Sequence, residues 1–258
     1  MEANEYFDIA EKLLLDGEYK KALYYFEKID KTYKTNECLN YMGCCYIRLN
    51  DLDSAEKLLT KVIESDPSWE RPILNLGRVY LKQGKLTDAI QYFEKSLSMD
   101  PDQDDVYFYI GVCFRKLKEY DKAIYFNKKS LHLNNNQSEP HLNLSLCYLR
   151  LGDYENALIE SENAYKYDND CLDAIYNKGI AFIGMEKYED ALNNLMIVVQ
   201  KTTDDIEAMM DIAHCYYKMK DFVNSNLWIN RILTIDPTHD LANKLLKILS
   251  KKISNKPQ

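Results

Sequence analysis

The sequence is short of the residues that break regular structure: 258 residues contain eight glycines and six prolines. With 46% hydrophobic residues, that scarcity excludes a disordered or low-complexity chain. No apolar run approaches the roughly 20 residues of a membrane span. The start, MEANEYFDIAEK, is acidic and amphipathic and does not read as a secretory signal. The seven cysteines are odd in number and have no CxxC spacing. They read as small buried thiols of a reducing, cytoplasmic setting. The four histidines, His132, His141, His214 and His239, form no HExxH motif, so no metal site is implied. There is no glycine-rich phosphate loop and no GxSxG. No cofactor is expected. The formal net charge of −8 argues against nucleic-acid binding by the whole surface.

What is abundant is helical periodicity. In ILNLGRVYLKQGKLTDAIQYFEKSLSMDP (73–101), Ile73, Leu76, Gly77 and Tyr80 fall at i, i+3, i+4 and i+7. Gly84 stands where a helix end needs a left-handed residue. A second helical pattern carries Leu86, Ala89, Ile90, Phe93 and Leu97 until Asp100-Pro101 stops it. The unit is two antiparallel helices with small residues where they approach. It recurs: one column reads Ala10, Gly43, Gly77, Gly111, Ser145, Gly179, Ala213, and another Ala22, Ala55, Ala89, Ala123, Ala157, Ala191, Ser225. In both, the first step is 33 residues and the other five are 34.

This period, with the pattern Leu76, Gly77, Tyr80, Ala89, Phe93, Pro101, resembles the tetratricopeptide repeat family over nearly the whole chain. The leading tryptophan of that pattern is missing; Trp69 and Trp228 lie elsewhere. The resemblance implies an all-α, right-handed α-solenoid. Seven repeats are expected over 3–35, 36–69, 70–103, 104–137, 138–171, 172–205 and 206–239. A capping helix over 240–253, with the stripe Leu241, Leu245, Ile248, and a tail over 254–258 follow. The eight repeated tyrosines, Tyr46, Tyr80, Tyr148 and Tyr216 with Tyr19, Tyr120, Tyr154 and Tyr188, are expected in packing. The pattern weakens where the Phe93 column reads Asn127 and Ser161 and the glycine column Ser145. The junction at LNNNQS (133–138) is therefore expected to be the weakest.

The resemblance also implies a concave groove lined by the first helices. Its columns hold Asn75, Tyr109, Asn143 and Asn177, with asparagines that hold a peptide backbone. The basic residues Arg48, Arg71, Arg78, Lys82, Arg115, Lys116 and Arg150 concentrate mid-array and favour an anionic partner. Helix-dipole placement accounts for Lys82, Lys116 and Arg150, but not for Arg71 or Arg78. The lysine–asparagine pair that clamps chaperone tails in this family is missing; the nearest positions are Phe7 with Glu11 and Asn40 with Cys44. The reading is a non-enzymatic scaffold for an acidic protein segment, compatible with a subunit of a larger complex. Two alternatives stand beside it. One is an anionic-membrane or nucleic-acid binder using the groove and the tail lysines Lys244, Lys247, Lys251, Lys252 and Lys256. The other is a groove-based enzyme using Cys44, Lys178 or His214.

Overall fold

The computed structural model describes residues 3–33 and 35–254. Residues 255–258 of the expected tail, including Lys256, lie outside the described residues. The described residues form fifteen α-helices. The chain divides into two compact units, Met1–Asn135 and Asn136–Gln258, with the division inside LNNNQS.

The first unit contains four hairpins: α1 (Ala3–Leu15) with α2 (Tyr19–Tyr33), α3 (Asn36–Leu49) with α4 (Leu52–Ser65), α5 (Glu70–Lys82) with α6 (Leu86–Met99), and α7 (Asp104–Lys116) with α8 (Tyr120–Leu133). The second contains three: α9 (Ser138–Leu151) with α10 (Tyr154–Tyr167), α11 (Leu172–Gly184) with α12 (Tyr188–Lys201), and α13 (Ile206–Lys218) with α14 (Phe222–Ile235). The helix α15 (Asp240–Ser254) ends it. Within each unit a helix packs on its hairpin partner and on the next helix. The first helices also touch one another: α3 with α5 and α5 with α7, then α9 with α11 and α11 with α13.

Sequence explains the hairpins locally. Asp51, Asp153 and Asp221 accept a hydrogen bond from the backbone N–H three residues on and so cap α4, α10 and α14. Gly84 and Gly152 turn the chain with φ of 78° and 77°. The same turn forms at Asn50, Lys118, Glu186 and Lys220 with φ near 60°, although three of these residues gave no left-handed signal in the sequence.

The glycine column holds the large residue of the facing helix. A Cβ on Gly43 would lie 2.8 Å from Leu59, on Gly77 2.6 Å from Phe93, and on Gly179 2.8 Å from Leu195. Repeats four and five replace this apolar knob with a polar side chain. Asn127 fills the space over Gly111 and donates to the Ala123 carbonyl at 2.6 Å. Ser145 and Ser161 share a 2.6 Å hydrogen bond. Repeat four thus keeps its glycine and changes only the knob, whereas repeat five changes both columns.

The eight repeated tyrosines are all half-buried. Cys45, Cys113, Cys147 and Cys215 are fully buried, and all seven cysteines are free. Burial pushes the thiols of Cys45, Cys113 and Cys215 up to about 12, which leaves them protonated and inert.

The cap differs from expectation. Its buried face is Ala242 and Leu249, with Leu245 and Leu246 partly buried against the last repeat's core. Leu241 and Ile248 are 53% and 45% exposed. The helix carries two overlapping apolar stripes of identical spacing. The shape of the last hairpin, which the sequence does not display, selects between them.

Candidate functional site

On α5, Arg71, Asn75, Arg78 and Lys82 recur at helical spacing and so share one face. In the first unit this face is tied to its neighbours by a chain of contacts. Asn75 Nδ2 donates to Asn40 Oδ1 on α3 at 2.9 Å and lies 3.3 Å from Cys44 Sγ. Arg78 Nη1 donates to Asn75 Oδ1 at 2.9 Å. The Arg78 guanidinium stands over the Tyr109 ring of α7, 5.5 Å from its centroid. Tyr109 in turn stacks on Phe93 with ring centroids 5.6 Å apart. The arginine is thus held by an amide on one side and an aromatic face on the other.

The cations converge. Burial raises the Cys44 thiol above its ordinary range, while Arg78, Arg48 and then Arg71 oppose that shift by their charge. Arg78 and this thiol share one contact, the Asn75 amide, which accepts from the guanidinium and reaches the Cys44 sulfur. The raised thiol is protonated at neutral pH and no nucleophile. Arg71 Nη1 lies 3.5 Å from Asp105 Oδ2 and Arg71 Nε 3.7 Å from Glu70 Oε1, so its charge is partly offset. Burial raises the Asp105 carboxyl in spite of Arg71.

The expected site residues fall into three groups. Asn75, Arg78 and Tyr109 are brought into direct contact, with Arg48 and Arg71 beside them. Arg48, Lys82 and Lys116 are exposed, and Arg115 is half-buried. Asn143, Arg150 and Asn177 belong to the second unit, where Arg150 is exposed. The asparagines, expected to present their amides to a ligand, are instead 4%, 4% and 3% exposed at Asn75, Asn143 and Asn177. First helices pack side by side here, and their contact seam covers this column. Asn40 is a partner that sequence reasoning missed. Its column position one residue before Tyr41 gave no signal, because the bond to Asn75 spans 35 residues.

In the second unit, Tyr176 Oη donates to Asp211 Oδ2 at 2.8 Å. Burial pushes the Asp211 carboxyl up to about 6; the Tyr176 hydrogen bond opposes this, and the Glu207 and Asp205 charges add to it. Lys178 is half-buried, with its Nζ 3.5 Å from Glu162 Oε1, so its stem packs while its head reaches a carboxylate.

Tetratricopeptide repeat profiles match residues 13–76, 74–138 and 138–171, more than half of the chain. The chain belongs to the tetratricopeptide repeat family. This is a family of scaffolds, generally non-catalytic. Solved tetratricopeptide structures share the fold at low identity. A chain of the APC/C hetero-tetramer Cut9–Hcn1 matches with a TM-score of 0.80 and 18% identity over 93% of this chain. This chain spans about half, 48%, of that one. YrrB, a tetratricopeptide protein with an unusual peptide-binding site, matches with a TM-score of 0.63 and 18% identity over 73% of this chain and 97% of its own. TTC0263, a thermophilic tetratricopeptide protein of Thermus thermophilus, matches at 0.63 and 21% identity, over 70% of this chain and 100% of its own. No curated protein sequence is significantly similar to the chain. Among the described residues of this tetratricopeptide array, no helix is long and apolar enough to cross a membrane.

Proposed function

We propose that the first unit is a non-enzymatic docking site for an acidic, extended segment of another protein, laid across α3, α5 and α7. The observation that carries this reading is the fixed Arg78 guanidinium, set between Asn75 and Tyr109 with Arg48 and Arg71 beside it. An arginine already held in place loses little side-chain freedom when it pairs with a carboxylate. Lys82, Arg115 and Lys116 extend the positive potential, which raises the association rate for an anionic segment. Asn75, and by analogy Asn143 and Asn177, serve as positioning residues. Arg150 lies in the second unit and is assigned the same preference for acidic groups. The peptide-binding neighbour YrrB and the neighbour from the APC/C assembly support a protein-binding role for this fold, alone or as a subunit of a complex. The seven free thiols support a reducing setting such as the cytoplasm.

The test uses fluorescein-labelled peptides of about a dozen residues, one glutamate-rich and one lysine-rich, titrated against the full chain. The glutamate-rich peptide is expected to bind with an affinity that falls with salt. Arg48→Glu with Lys82→Glu, both at exposed positions, should abolish its binding while leaving the helical circular dichroism intact. Equal binding of both peptides, or no loss in the double variant, would refute the reading.

A further inference from the structure

We propose that the cavity between α13 and α15 receives an apolar side chain of a partner segment that carries a lysine or arginine beside it. The cavity measures about 400 Å³ and lies wholly within the second unit. Met210, His214 and Tyr217 of α13 form one wall, and Leu241, Leu245 and Ile248 of α15 the other. That volume falls in the range of about 300–1,000 Å³ typical of ligand pockets. A cap that served only to shield the last hairpin would bury its apolar stripe. This one buries Ala242 and Leu249 and leaves Leu241 and Ile248, both in the α15 wall of the cavity, half open.

Charge selects the occupant. Asp211 stands in the cavity wall. Tyr176 occupies one of its oxygens, and among the described residues no basic side chain forms an ion pair with it. Glu207 and Asp205 add negative potential at this end. Of the lysines on these two helices, Lys218 lies beside His214 and Lys252 has its Nζ 5.4 Å from the Tyr217 ring, both toward the C-terminal end of α13, while Lys244 on α15 is paired with Asp240. Burial and then Lys218 push the His214 imidazole down, so it is neutral at pH 7 and does not oppose a cation. An anion entering beside Asp211 meets an unneutralised carboxylate, whereas an ammonium or guanidinium completes an ion pair where desolvation has already been borne. The cavity is built from residues of the second unit and the arginine site from residues of the first, so each has its own test.

The probes are phenethylammonium and 3-phenylpropionate, which share a phenyl group and differ in charge. Each is titrated into the full chain carrying ¹³C-methyl methionine, with the Met210 methyl resonance as readout. The ammonium is expected to shift Met210 saturably and to bind at least about fivefold more tightly than the carboxylate, the scale of one partly exposed charge pair. Asp211→Asn should bring the two within about twofold, and Ile248→Lys, at an exposed position, should weaken the ammonium by a similar factor. Equal binding, a preference for the carboxylate, or an unmoved Met210 would overturn the proposal. So would a dimer in sedimentation that Ile248→Lys dissolves, since the occupant would then be a second copy. The glutamate-rich peptide should bind both variants as it binds the parent chain, which separates this test from that of the first unit.

Discussion

Phe93 occupies the place that a side chain on Gly77 would need: a Cβ there would lie 2.6 Å from the ring. The ring is fully buried and also stacks on Tyr109, which carries the Arg78 guanidinium. The packing of one hairpin is thus continuous with the face assigned to binding. Gly77→Ala should therefore cost about 1–3 kcal/mol, the usual range for overpacking. Chemical denaturation would show this as a lower midpoint. A midpoint equal to the parent's would mean that the ring has room to move.

Asn127 sits where the first three repeats place phenylalanine or leucine, and its Oδ1 is buried without a hydrogen-bond partner. Asn127→Leu should stabilise the first unit by about 1–2 kcal/mol, by burying apolar volume and removing an unsatisfied acceptor. Leucine fits against glycine in this fold, as Leu59 does against Gly43. In the parent chain, amides of repeats four and five should exchange with solvent before those of repeat three, since their hairpins lack the apolar knob.

Asp211 makes stability depend on pH. Its folded-state carboxyl is pushed from 3.8 up to about 6. Between these values the folded state holds more protons than the unfolded chain, so stability falls as pH rises through that window and stays lower above it. Asp211→Asn removes this loss and keeps an acceptor for Tyr176. Its Tm should exceed the parent's at pH 7, by an amount equivalent to about 1–3 kcal/mol, and match it near about pH 3.5. A difference that does not vary with pH would show that folding leaves the Asp211 carboxyl unshifted.

Asn75 joins α3 to α5 and holds Arg78. Asn75→Ala should cost about 1–3 kcal/mol, because it leaves Asn40 Oδ1 buried without that donor and frees the guanidinium. Binding of the glutamate-rich peptide should weaken without any change in the net charge of the site. Unchanged binding would show that Arg78 does not need this support.

The helices, their pairing and the family were legible in the residues alone, because each hairpin is specified by local periodicity and by small residues recurring at a fixed step. The places of the basic residues along the chain were legible too. What those positions face came from the packed chain. The asparagines of the supposed groove turned out to lie in the seam between first helices, since contacts such as Asn40 to Asn75 join residues 35 apart and leave no periodic trace. The cap shows the same division. Its composition offered two apolar stripes of equal spacing, and the buried one was chosen by the surface of the last hairpin, leaving Leu241 and Ile248 beside the cavity. Local spacing sets which residues share a face; complementarity to a neighbour, a property of two surfaces at once, sets which face is buried.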